Sequence, residues 1–141
     1  MKQVLLMIAV VALVAGCGTT KVDPNAPANI SDPIVEEKVR NFLKKPTGEL
    51  TNADLAKITS LNLNLTKITD AGLKDVAKMQ NLEYLSLQQT KITDAGLKDL
   101  AKLKKLKWLS LHSTKVTKAG VAEIRKALPK LRHISHSHKK D

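Results

Sequence analysis

The sequence predicts an α/β solenoid, with parallel strands side by side on a concave face, helices on the convex face and one capping helix at the N-terminal end. Three observations lead there. The decapeptide TKITDAGLKD begins at Thr66 and again at Thr90, and a looser copy, TKVTKAGVAE, begins at Thr114. The spacing is 24 residues, and self-similarity at such a period marks stacked supersecondary units. Within a unit, a short alternation with Leu85 and Leu87 on one side and Tyr84, Ser86 and Gln88 on the other gives way to helical spacing. Finally, Phe42, Tyr84 and Trp108 are the only aromatic residues among 141. Any core is therefore built from Leu, Ile, Val and Ala, as a thin repetitive structure requires. One unit alone buries too little, so the copies exist to cover one another.

The elements follow in chain order. Residues 1–16 read as a signal peptide: Lys2 supplies a small positive region, residues 4–15 are unbroken apolar, and Gly16 precedes the single cysteine, Cys17. Roughly 20 apolar residues are needed to cross a bilayer, and this run is shorter. Residues 17–32 follow as a flexible tether, rich in Pro24, Pro27, Asn25, Asn29 and Asp32 with little to bury. Over residues 33–48 the character changes. Asp32 is placed as N-cap and Pro33 in the first turn of a helix, and Ile34, Val35, Val39, Phe42 and Leu43 recur at helical spacing until Pro46 and Gly48 stop it. This helix is assigned to cover the open N-terminal end of the repeats, which occupy residues 49–137. A basic tail, residues 138–141, ends the chain.

Two family resemblances rest on these residues. Val14-Ala15-Gly16-Cys17 resembles the lipobox of bacterial lipoproteins. That resemblance implies a cysteine carrying a diacylglyceryl thioether, then acylated, often with palmitate; it further implies, from Gly18 rather than Asp, the outer membrane where a cell has one. The alternative is that Cys17 is the small residue of an ordinary cleavage site. An unpaired thiol in an oxidising compartment is a liability unless modified, which favours lipidation. The second resemblance lies in Ile58-Leu61-Leu63-Thr66-Ile68, Leu82-Leu85-Leu87-Thr90-Ile92 and Leu106-Leu109-Leu111-Thr114-Val116, with a fourth version, Leu131-Ile134-His136, displaced by one inserted residue near Pro129. These runs resemble the leucine-rich repeat family, and the Ile-Thr-Asp-Ala-Gly-Leu phrase is similar to its cysteine-containing type. Thr stands where that type has Cys or Asn, and its hydroxyl is still able to bond turn backbone. Either Thr93 or Asp94 caps a helix that turns Leu97, Leu100 and Ala101 inward. Gly72, Gly96 and Gly120 serve either a close approach between repeats or the helix N-terminal turn. At the far end His136 replaces an inward Leu and marks the last turn.

The outward strand positions form three rows. One reads Ser60, Tyr84, Trp108, His133; the next Asn62, Ser86, Ser110, Ser135; the third Asn64, Gln88, His112, Ser137. Aromatic groups rimmed by hydroxyls and amides have the composition of a recognition surface, which nominates Tyr84, Ser86, Gln88, Trp108, Ser110, His112 and His133 as partner-binding residues. The competing account has Tyr84 and Trp108 stacked on each other as a shield for the sheet. The leucine-rich repeat resemblance implies a partner on this concave face without identifying it.

Charge and chemistry narrow the function. Without Lys2 the chain holds 23 basic against 13 acidic residues, a net +10. Lys74, Lys78, Lys98, Lys102, Lys104, Lys105, Lys107, Lys115, Lys118, Lys126 and Lys130 crowd helices and turns. Such a surface favours anionic envelope polymers or lipid headgroups over nucleic acid in an exported chain, unless the lysines only keep the convex face soluble. His112, His133, His136 and His138 invite a metal, but strand alternation sends His133 out and His136 in, and no thiol or carboxylate cluster completes a set. No metal or other cofactor is expected. There is no phosphate loop, metalloprotease pair or nucleophile elbow, and no carboxylate to orient His112 beside Ser86 or Ser110, so no catalysis is expected. The expectation is a lipid-anchored binding module of the bacterial cell envelope, facing periplasm or cell surface, that engages a protein or glycan through its concave face. The alternative is a basic envelope protein whose lysines bind anionic polymer or lipid headgroups.

Overall fold

A computed structural model of the protein describes residues 22–137. The expected signal peptide, Cys17 and His138 lie outside the described residues. The elements run α1 (Pro33–Leu43), α2 (Asn52–Ala56), β1 (Ser60–Asn62), α3 (Asp70–Val76), β2 (Tyr84–Ser86), α4 (Asp94–Leu100), β3 (Trp108–Ser110), α5 (Lys118–Ala127) and β4 (His133–Ser135). The four strands form one parallel sheet in sequence order. Each strand is three residues long, yet the ladder continues beyond it: Leu63 N donates to Ser86 O, Leu87 N to Ser110 O and Leu111 N to Ser135 O. Consecutive repeats are thereby stitched along their whole inner edge.

Alternation places Leu61, Leu63, Leu85, Leu87, Leu109 and Leu111 inside, where they meet Leu73, Val76, Leu97, Leu100 and Ile124 from the helices. Burying such a side chain contributes ~1.5–3 kcal/mol, so the apolar positions that recur in each repeat are the main source of stability. The turn after each of β1, β2 and β3 is set by one residue in the left-handed region, Leu65, Gln89 and Ser113 in turn. The next residue is always threonine, whose Oγ1 donates to a carbonyl three residues back: Thr66 to Leu63 at 2.7 Å, Thr90 to Leu87 at 2.7 Å and Thr114 to Leu111 at 2.9 Å. The hydroxyl thus satisfies turn backbone, the role expected of it.

The helices are held to one another by a second repeating device. Thr93, not Asp94 beside it, is the N-cap of α4, and Thr117 is the N-cap of α5. Asp70 reaches forward to accept from Thr93 N at 2.8 Å and Thr93 Oγ1 at 2.5 Å, and Asp94 does the same for Thr117 at 2.8 and 2.5 Å. Each carboxylate lies over the glycine of the next helix: a Cβ at Gly72 would stand 2.5 Å from Asp32 Oδ2, and one at Gly96 or Gly120 would collide with Asp70 or Asp94. Close approach is therefore what these glycines provide. Lys118 occupies the place of Asp70 and Asp94 in the last copy, and the ladder stops there.

The two ends are closed differently. At the N-terminal end α1 begins at Pro33 with Asp32 accepting from Ile34 N and Val35 N, turns Val35 and Val39 fully inward, and stops where Lys44 takes a left-handed conformation. Phe42 departs from the sequence expectation: it is 45% exposed rather than part of that inner face. The tether expected over residues 17–32 also needs correction where it is described. Ala28 N donates to Leu50 O, Asn52 N to Ala26 O and Ala53 N to Pro24 O, while Ser31 N and Asp32 N both donate to Asp75 Oδ2 at 2.8 Å. Backbone pairing fixes this stretch without needing an apolar pattern, and only Ala28 is buried. At the C-terminal end α5 runs 10 residues against 7 in α3 and α4, and Trp108 pairs with His133, 25 residues on. The inserted residue near Pro129 is absorbed there. His136 is half-buried, its Nε2 donating to Val116 O at 2.8 Å.

Candidate functional site on the concave face

The strand registers bring the first row together as expected: Ser60 beside Tyr84, Tyr84 beside Trp108, Trp108 beside His133. Tyr84 is 48% and Trp108 44% exposed, and His133 is exposed. The Trp108 and His133 rings lie 4.6 Å apart, tilted by 32°. Among the described residues the ring contact of Trp108 is with His133 rather than with Tyr84, so mutual stacking of Tyr84 and Trp108 does not account for the row. Tyr84, Trp108, Ser60, Asn62 and Ser86 line a shallow open depression floored by Leu61 and Leu85.

The polar rows behave differently. Asn64 Oδ1 accepts from Ser86 Oγ at 2.6 Å and from Gln88 N at 2.8 Å; Gln88 Nε2 donates to Ser110 Oγ at 2.8 Å; Ser135 Oγ and His112 Nε2 share a hydrogen bond. These side chains bond one another from repeat to repeat and leave little to offer a partner. Ser110, nominated above as partner-binding, is withdrawn from the surface, 3% exposed beneath the Gln88 amide. Ser86 and Gln88 are half-buried members of the same network, and His112 is half-buried against Ser135.

Sequence reasoning missed part of the face. Phe42 and Leu65, the latter 74% exposed, border a second depression with Lys38, Asn41, Ser60, Asn62 and Asn64. Leu65 carried a signal: its equivalents are Gln89 and Ser113, so an apolar residue stands at an exposed turn position where the other copies are polar. Four of the five exposed large apolar side chains among the described residues, Phe42, Leu65, Tyr84 and Trp108, thus border the concave face. Val22 is the fifth.

Electrostatics concentrate elsewhere. The Asp54 carboxyl is held well below the usual carboxylate range, chiefly by the Lys45 ammonium at 2.8 Å, then by Thr51 N and Lys57, against the opposing cost of burial. For Asp75, burial is the largest influence and pushes the carboxyl up, but Lys78 at 2.6 Å and the N–H groups of Asp32 and Ser31 together bring it below its ordinary value. Both carboxylates tie the N-terminal segments to the repeats and lie away from the concave face. Among the described residues no three His, Cys, Asp or Glu side chains converge as metal ligands. His112, His133 and His136 each engage a different partner, Ser135, Trp108 and Val116 O.

Comparison with known proteins agrees with this geometry. The family model described as Leucine Rich repeat matches residues 55–77 and 78–101, two consecutive units. No curated protein matches the chain significantly. Among solved structures, the CBM51-2 and INT domains of Clostridium perfringens ZmpB share 33% identity over 66% of this chain and 19% of theirs, with a TM-score of 0.55. An internalin (inlF) of Listeria monocytogenes str. 4b F2365 matches at 23% identity over 79% of this chain and 38% of its own, TM-score 0.53. Internalin C2 (inlC2) of the same strain matches at 23% over 83% and 70%, TM-score 0.52. The chain spans about a fifth of the ZmpB structure. Repeat match, parallel sheet and superposable neighbours together make the fold a leucine-rich repeat solenoid.

Proposed function

We propose that this protein is a binding module of the bacterial cell envelope, lipid-anchored at Cys17, which engages a protein or glycan partner through the concave face and carries out no catalysis. The observation that carries the reading is the gathering of Phe42, Leu65, Tyr84 and Trp108 at the concave face, with His133 stacked at its end. Exposed apolar groups assembled on one surface, beside polar side chains already paired, are what a recognition surface needs and what a folded core does not. The leucine-rich repeat fold supports a protein-interaction role. The exported, acylated state rests on the Val14-Ala15-Gly16-Cys17 motif.

Affinity capture with the full chain tests this. Changing Tyr84 and Trp108 to Ala removes a specifically retained partner, and high salt changes retention little, because desolvated aromatic anchors dominate such interfaces. Retention that survives both substitutions and vanishes in salt would support the lysine-driven alternative instead.

A further inference from the structure

The chain enters the repeats on one particular edge. Val22 and Pro24 line a shallow depression with Ala53, Ala56, Lys78 and Gln80, so the segment leading from Cys17 arrives where helices turn back into strands. That edge is continuous from repeat to repeat: Asn81 Nδ2 donates to Ala56 O at 2.7 Å, Lys105 Nζ to Asn81 Oδ1 at 2.6 Å, and Lys104 Nζ to Ala127 O at 3.1 Å.

Its charge is of one sign toward the C-terminal end. Residues 101–107 hold Lys102, Lys104, Lys105 and Lys107 with no acid, and residues 125–132 add four basic residues, again with no acid. On the opposite edge, residues 64–70 and 88–94 each set one lysine against one aspartate, and only the third turn, with Lys115 and Lys118, is purely basic. Cations near helix C-termini stabilise the helix dipole, and that accounts for part of the asymmetry. Lys102 and Lys107 also face Asp99 and Glu83. Neither reason covers Lys130 and Arg132, exposed beyond the end of α5, whose side chains make no hydrogen bond or ion pair among the described residues, although Arg132 N donates to Lys107 O at 2.9 Å.

Distance adds the second argument. Because residues 23–32 are bonded to the repeats, the spacing that matters runs from Cys17 to Val22, which spans at most ~18 Å fully extended. Electrostatic attraction falls off over ~8 Å at physiological salt, so an acylated Cys17 keeps Val22 within about two screening lengths of a bilayer, and the short spacer lets the edge come into the range where its charge acts.

We propose that the edge formed by the helix-to-strand turns is a docking surface for anionic phospholipid headgroups. It sets the solenoid edge-on to the membrane and leaves the concave aromatic row uncovered. The proposal rests on the lipid-anchored reading above, with the polybasic edge giving orientation where the acyl chains give attachment.

The test uses the full chain as purified from cells, with a spin label attached through Lys130→Cys or, on the opposite edge, Lys91→Cys. It is mixed with vesicles of phosphatidylcholine, alone or with about a third phosphatidylglycerol, carrying a headgroup-bound paramagnetic chelate. The label at position 130 is relaxed by the chelate on anionic vesicles, loses that enhancement in high salt and after Lys126→Glu, and the label at position 91 shows no such change. Equal relaxation at both positions on anionic vesicles overturns the proposal. Flotation separates the two readings: chain that floats with neutral vesicles in high salt is anchored whatever the labels report. Chain that floats only with anionic vesicles at low salt, with the label at position 130 relaxed, supports the edge and sinks the anchor.

Discussion

Gly72, Gly96 and Gly120 occupy one position in three successive repeats, while Ser60, Tyr84, Trp108 and His133 occupy another in four; the first never changes and the second never repeats. The invariant position lies where one helix meets the next, under a carboxylate with no room for a methyl group. The variable one stands on the open face of the sheet, where the register fixes the backbone and the side chain stays exposed. Within one chain the repeats therefore separate what stacking demands from what stacking leaves free. The free positions hold the chain's only Tyr and Trp.

The contrast is broken most severely at the glycine. Gly96→Ala gains helix propensity of ~1 kcal/mol but drives a methyl into Asp70 Oδ1 and Leu73 Cδ1, and Asp70 cannot yield without losing both bonds to Thr93. Thermal unfolding is expected to show a net loss of about 1–3 kcal/mol. Trp108→Ala, measured alongside, is expected to cost less than ~1 kcal/mol, since its ring is half exposed and the indole gives up mainly the His133 contact. A larger loss from Trp108→Ala than from Gly96→Ala would reverse the assignment of the two positions.

A gentler probe acts through Asp75, whose pairing holds residues 29–32 against α3. A carboxyl whose folded value lies below its unfolded one, ~3.9, stabilises the fold above that pH and loses its contribution as the pH falls through the folded value. Stability is thus expected to decline progressively below about pH 4. Asp75→Asn should lower stability at neutral pH and flatten part of that decline, with Asp54 responsible for the remainder. A wild-type acid profile left unchanged by Asp75→Asn would show that this carboxylate does not anchor the segment.

The repeat period, the strand rows, the Asp32 cap and the extra residue before Leu131 were legible because each is written in side-chain type at fixed spacing. The docking of residues 23–32 was not, because it runs through the backbone groups of Pro24, Ala26 and Ala28, and a Pro- and Asn-rich stretch bonded this way reads like a linker. Phe42 shares helical spacing with Val35 and Val39, yet α1 ends one residue later and the ring borders the rim beside Ser60 and Asn62. Ser110 was placed correctly on an outward position, but periodicity says nothing of the Gln88 side chain that covers it. The direction of a side chain follows from the strand, whereas its exposure depends on neighbours 22 to 24 residues away.

The central claim, that the concave aromatic row is the working surface, is tested most directly by photo-crosslinking in the living cell from position 108, with positions 74 and 98 on the convex helices as matched controls. The account predicts one discrete species captured from position 108, identified by mass spectrometry, lost on Tyr84→Ala and absent from both controls. Capture from positions 74 or 98 alone, or nothing distinct from position 108, would contradict it.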